Sequence, residues 1–274
     1  MNITVFTSNQ PRHVALVERL AGLADTVFAC MEVNTLFPGQ IEGFYRTSEV
    51  MQRYFGRVVE AERAEFGVPR FLPANVRSLP MKSGDLNSLP TSWLAQALDS
   101  DVYVVFGASY IRKPLVDELI ERRALNIHMG TSPYYRGSSC NFWAMYDGRP
   151  EYVGATVHLL GSGLDSGAIL SHALPTIRGE ELADGFFLGM RAVSEAFDVL
   201  VSLVDGGRWQ RIEPVPQDLS LQLRYSRISD FTDEVAAEYL RREPTSESIR
   251  ESLQARDTTR FILLPGEFRR GERV

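Results

Sequence analysis

Cysteine is nearly absent: the 274-residue chain holds two, Cys30 and Cys140. Two such distant residues set up neither a disulfide framework nor a metal-ligand spacing, and a reducing, bacterial-type cytoplasm is the expected compartment. Long apolar runs are missing too; none approaches the roughly 20 residues that cross a bilayer, so no membrane partner is expected. The opening Met1-Asn-Ile-Thr-Val-Phe-Thr7 has no basic stretch and no small-residue cleavage site. It reads as a strand rather than a signal peptide. Positive charge is in deficit: 29 Lys and Arg against 35 Asp and Glu give a net charge of -6. A protein that grips a nucleic-acid backbone shows a basic face. The basic pairs Arg122-Arg123, Arg241-Arg242 and Arg269-Arg270 read instead as solvated surface. There is no internal repeat and no low-complexity segment.

What is present is a sizeable core. Hydrophobic residues make up 44% of the chain, enough for one large domain or a domain with an appendage. Residues 3–7, 26–31 and 101–106 are short apolar runs, the mark of strands buried on both faces of a parallel sheet. Pro11 suits the first turn of a helix running to about Leu23. Helical spacing recurs over 47–66, 113–121 and 182–204, and more weakly over 232–241. A short helix over 91–97 has Thr91 as its expected N-cap. Residues 34–43 and the proline-bearing stretch 68–90 read as connections, the latter with a strand fragment at 75–79. Two further strands, 154–160 and 168–173, flank the loop 161–167. The expected class is α/β, with a mostly parallel sheet and flanking helices.

Open parallel sheets bind ligands at the carboxyl ends of their strands. Gly107, the segment Asn126-Ile-His128 and the loop bearing Asp165 all fall at expected strand ends. In an extended segment Asn126 and His128 point to one side. An amide, an imidazole and a carboxylate can together activate an amine and stabilise an oxyanion. Each also has an ordinary reading, as a hydrogen-bonded core residue or a turn former. Cys140, at the start of an expected helix, reads as a small buried residue. Phe142, Trp143 and Tyr146 have the spacing of a helix face packed in the core.

Four blocks give this pattern a context. The run Asn126-Ile-His128-Met-Gly-Thr-Ser-Pro133-Tyr-Tyr-Arg136-Gly137 is followed by Asn141-Phe-Trp143. Gly154-Ala-Thr156-Val-His158 and Leu164-Asp165-Ser-Gly167-Ala-Ile169 come next. In order and approximate spacing they resemble the folate-dependent formyltransferase family, with its N-I-H-x-S-L-L-P-x-x-R-G block, G-x-T-x-H strand and D-x-G-x-I loop. The likeness covers about residues 101–172, and more weakly 1–32 and 190–230.

The resemblance implies a Rossmann-like formyltransferase fold. The expected catalytic domain is 1–205, and a C-terminal extension, 206–274, packs on it. It implies transfer of a formyl group from 10-formyltetrahydrofolate to an amine, without a metal. Asn126, His128 and Asp165 match the catalytic positions. Gly107, Ser109, Tyr110, Ile111 and Arg112 on one side, with Leu160 and Gly163 on the other, match the folate slot. Two departures stand out: the family's Pro-Ser after the histidine is Met129-Gly130 here, and its Leu-Leu is Thr131-Ser132.

The acceptor follows by elimination. The tail shows no series of strands like the extra domain of the initiator-tRNA enzymes, and the chain is acidic. The loop Ser8-Asn-Gln-Pro-Arg12-His13 lacks the glycine-rich phosphate cradle of the purine-pathway enzyme. The first strand begins at residue 3, where the deformylase relative carries a regulatory domain. A small amine remains, above all an amino sugar on a nucleotide, with Arg12, Tyr225 and Arg227 as candidate contacts. Arg136 is expected to brace the catalytic loop. A homodimer is compatible with this scheme. The rivals are a hydrolase releasing formate on the same scaffold and a folate-binding protein without catalysis.

Overall fold

The computed structural model describes residues 1–34, 48–177 and 184–264. In chain order the elements are β1 (Asn2–Thr7), α1 (Pro11–Ala21), β2 (Thr26–Val33), α2 (Glu49–Phe66), β3 (Val76–Lys82) and β4 (Val102–Val105). Next come α3 (Leu115–Glu121), β5 (Leu125–His128), β6 (Tyr135–Gly137), α4 (Cys140–Tyr146), β7 (Ala155–Leu159) and β8 (Ile169–Ala173). The tail adds α5 (Gly185–Val204), β9 (Arg224–Ser226), α6 (Asp233–Arg241) and α7 (Ser246–Gln254). The expected loop over 34–43, apart from Asn34, and the expected helix starts at 47 and 182 lie outside the described residues, as does Arg269-Arg270.

Seven strands form one sheet in the order β3-β2-β1-β4-β5-β7-β8. The first five are mutually parallel. β7 runs antiparallel to β5, and β8 antiparallel to β7. The sheet is therefore mostly parallel, with helices covering it, as the apolar runs imply. One face packs on α1 and α5 through Ile3, Val5, Leu16, Val104 and Phe197. The other packs Phe6, Val105, Leu94, Leu115 and Leu119. A third, aromatic cluster joins α2, α4, α5 and α6 through Tyr54, Phe142, Trp143, Phe186 and Tyr239. Arg57 clamps it, bonded to Asp184 and Glu243 with its guanidinium 4.4 Å from the centre of the Phe186 ring.

Several boundaries differ from expectation for physical reasons. The Ser48 side chain accepts from the Met51 N–H (3.1 Å) and starts α2, while Gly67 ends it at φ 78°. β3 runs on to Lys82 through Pro80; it is an edge strand, where a missing N–H is tolerated. Residues 91–94 make a 3-10 turn, with Thr91 inside it and Pro90 at its cap position. The bend turns Leu94, Ala97 and Leu98 inward.

The tail wraps onto the sheet-bearing body. β9 pairs in parallel with β6, setting Tyr225 opposite Arg136. Val215 bridges to Ile169, and Ile262 exchanges hydrogen bonds with His172 (2.6 and 2.9 Å).

Candidate active site

β5 carries Asn126 and His128 on one side, and the antiparallel β7 sets His158 directly opposite Asn126. The Asn126 amide donates to His158 Nε2 at 2.9 Å. His158 Nδ1 donates to the Leu159 carbonyl at 2.7 Å, which assigns the proton to Nδ1. Burial pushes the His158 pKa down to about 4, so the ring is neutral near pH 7 and its Nε2 accepts. One amide hydrogen of Asn126 is thereby fixed, and with it the direction of the other.

The carboxylate arrives by an unexpected route. Because β7 is antiparallel, the loop after it leaves the sheet level with Leu125, at the amino-terminal end of β5; Leu160 N–H bonds to Ala124 O at 2.7 Å. The strand-end rule therefore fails for this loop, although the convergence stands. The loop folds back, and Asp165 Oδ2 meets His128 Nδ1 at 3.2 Å. Asp165 sits at φ 46°, and Gln217 from the tail donates to the carbonyls of Asp165 (2.7 Å) and Gly167 (2.9 Å). Arg136 braces the same loop, donating to Leu164 O at 3.3 Å.

His128 and Asp165 are 7% and 14% exposed. Burial opposes a charge on His128, but Cys140 and Asp165 outweigh it and hold its pKa well above the usual imidazole value. Burial likewise opposes ionisation of Asp165, and the His128 charge holds its pKa below the usual range. The arrangement is an imidazolium–carboxylate pair beside an oriented amide. Cys140 is buried, as expected of a small residue, but its sulfur lies 3.4 Å from His128 Nε2.

Below this pair, Thr156 ties the loop after β5. Its hydroxyl donates to Gly130 O (2.6 Å) and accepts from the Ser132 N–H (2.9 Å). The G-x-T-x-H strand thus contributes both its polar side chains.

The two segments expected to form a slot also meet. The Tyr110 hydroxyl donates to Ser162 O at 3.0 Å. Gly107, at φ 70°, lies over the buried His13 ring; a Cβ there would come 2.2 Å from His13 Nε2. Ile111 is buried, and Leu160 packs on the same cluster. Glu32, 1% exposed, accepts from the Ser109 N–H (2.6 Å), the Ser109 hydroxyl (2.9 Å) and the Gly84 N–H (2.7 Å). Asn87 donates to Tyr110 O and accepts from the Arg112 N–H. Much of the backbone of this segment is satisfied within the protein. Gly163 lies exposed, its carbonyl bonded to Ser166.

Of the expected acceptor contacts, Arg12 is committed elsewhere: its guanidinium and backbone N–H both meet the buried Glu62 carboxylate, at 2.7 and 3.2 Å. His13 is buried, and desolvation holds its pKa well below the usual value. Tyr225 and Arg227 are exposed on and beside β9. Among the described residues no group of His, Cys, Asp and Glu is arranged to hold a metal, and no helix is long and apolar enough to cross a membrane.

Residues 86–185 match the family model described as Formyl transferase. The methionyl-tRNA formyltransferase of Synechococcus sp. (strain JA-3-3Ab) is 32% identical over 156 residues, 56% of this chain and 44% of that protein. The chain thus spans less than half the length of this curated relative. Among solved structures, a 4-N formyltransferase from Francisella tularensis aligns with TM-score 0.52 and 15% identity, over 84% of this chain and 77% of the other. A sugar N-formyltransferase from Shewanella sp. FDAARGOS_354 gives 0.51 and 18%, over 84% and 78%. Residues 86–185 thus match the formyltransferase family, and the fold of the chain is that of these structures.

Proposed function

We propose that the protein transfers a formyl group from 10-formyltetrahydrofolate to the amine of a small molecule, an amino sugar carried on a nucleotide. The observation that carries this reading is the approach of Asp165 to His128, with Asn126 two residues away on the same strand and held by His158. A reduced folate bound between the segments 107–112 and 160–163 would supply the activated formyl group. Asn126, its amide oriented by His158, donates its second N–H to the oxygen that gains negative charge as the amine adds to the formyl carbon. Charged His128 adds to that field, and Asp165 keeps the imidazole charged and oriented. Charged His128 gives its Nε2 proton to the departing folate nitrogen, and the neutral ring then takes the proton that the added amine loses. The new C–N bond forms in the addition, and the bond to the folate nitrogen breaks as the oxyanion collapses back to a carbonyl.

The acceptor reading is supported by the tail, where exposed Tyr225 lies opposite Arg136 and exposed Arg227 follows on the same segment. The net charge of -6 speaks against a polyanion. One observation favours a second reading: the 32% identity to a methionyl-tRNA formyltransferase points to an aminoacylated tRNA. Comparing kcat/KM for a nucleotide-linked amino sugar, a free amino sugar, glycinamide ribonucleotide and charged initiator tRNA decides between them. A preference for either of the last two overturns the sugar assignment alone. Formate release without any amine would instead mark the hydrolase.

A further inference from the structure

His128 has both ring nitrogens occupied: Nδ1 by Asp165 at 3.2 Å and Nε2 by the sulfur of Cys140 at 3.4 Å. An imidazole held on both sides exchanges no proton with an amine until one partner leaves. Asp165 is the fixed partner, its backbone pinned by Gln217. The sulfur has an alternative, because the Gly137 carbonyl lies 3.5 Å from it. At 1% exposure, water does not compete for the thiol.

The contact depends on Gly130. A Cβ built there would come 2.4 Å from Cys140 Cβ and 2.9 Å from His128 Nε2. The family pattern carries serine at that place, and its side chain would stand between sulfur and ring. The glycine at 130 and the sulfur at 140 are thus two halves of one local arrangement.

We propose that Cys140 is a positioning residue of this site: its sulfur holds His128 Nε2 and, once the ring is neutral, frees it by turning the S–H to the Gly137 carbonyl. This rests on the formyl-transfer reading. With a neutral imidazole the S–H donates to Nε2; with a charged one Nε2–H donates to sulfur. No bond other than these hydrogen bonds is made or broken. The titratable groups facing His128 are Cys140, Asp165 and His158, with Arg136 acting on the last two.

The test is an NMR titration of the His128 ring nitrogens in the full chain, without folate or amine, for the wild type, Cys140→Ala and Cys140→Ser. Removing the sulfur should lower the His128 midpoint and shift its Nε2 resonance. Serine, which returns a donor, should bring the Nε2 signal back toward wild type. In formyl transfer kcat should fall for Cys140→Ala with KM little changed, recover in part for Cys140→Ser, and the limb of the pH profile that follows His128 should move to lower pH. An unmoved His128 titration in both variants overturns the proposal, even if activity falls, because the cysteine would then serve only packing. If the wild type formylates no amine, the functional reading fails while the titration still decides the role of Cys140.

Discussion

His158 offers a quantitative test, because burial pushes its pKa down within the range that a titration of stability can follow. Its pKa is about 4 in the folded protein against an ordinary 6.5. The unfolded chain therefore takes up a proton below pH 6.5 that the folded chain refuses until about pH 4. The unfolded state binds more protons in that window, so stability falls as pH falls through it. From those two values the loss between pH 7 and pH 5 is about 2 kcal/mol. His158→Gln keeps an acceptor for the Asn126 amide but does not titrate. Urea unfolding of both proteins at pH 7 and pH 5 measures the difference. The buried His13 and His172, whose pKa values are also depressed, are common to both proteins and cancel. The variant should gain about 2 kcal/mol relative to wild type on going to pH 5. If the difference is the same at both pH values, His158 is not held neutral, and the argument for an oriented Asn126 amide fails.

Asp165→Asn should lower the midpoint of His128 titration. Wild type should be most favoured over this variant between about pH 4 and 6.5, because the His128 contribution is full below 6.5 and is lost as pH rises through its raised value. The Asp165 contribution is full above 3.8 and is lost as pH falls through its depressed value. A flat wild-type-minus-variant stability curve over pH 3–9 would contradict the pairing. Gly167→Ala should cost about 3 kcal/mol, read as a drop in Tm, because its Cβ would lie 1.6 Å from Leu159 O. An unchanged Tm would show that the loop carrying Asp165 is not packed as described.

Runs that form an element alone were legible in the sequence. Val102–Val105 is apolar throughout and buried throughout. The α2 spacing places Tyr54 and Ala61 inward. The approach of Asp165 to His128, with Asn126 beside it on the strand, was legible through separated blocks in order. Features that depend on distant partners were not. Arg12 looked available because Glu62, 50 residues away, supplies its partner on another helix. His158 gains its place from cross-strand register, which a single sequence does not print. The approach of Asp165 was misplaced because the strand-end rule assumes parallel strands, and β7 is antiparallel. α7 escaped notice because its one fully buried side chain, Ile249, leaves little apolar periodicity to read. Cys140 read as filler; its contact with His128 needs Gly130, a departure visible in the sequence but silent about its consequence.

The most direct measurement is single-turnover formyl transfer from 10-formyltetrahydrofolate to a nucleotide-linked amino sugar. It compares the wild type with His128→Ala and Asn126→Ala, with folate affinity measured alongside. Loss of an oxyanion donor costs about 10²–10³ in rate. The account predicts falls of that order in both variants with folate binding retained. Wild-type turnover in His128→Ala would contradict it.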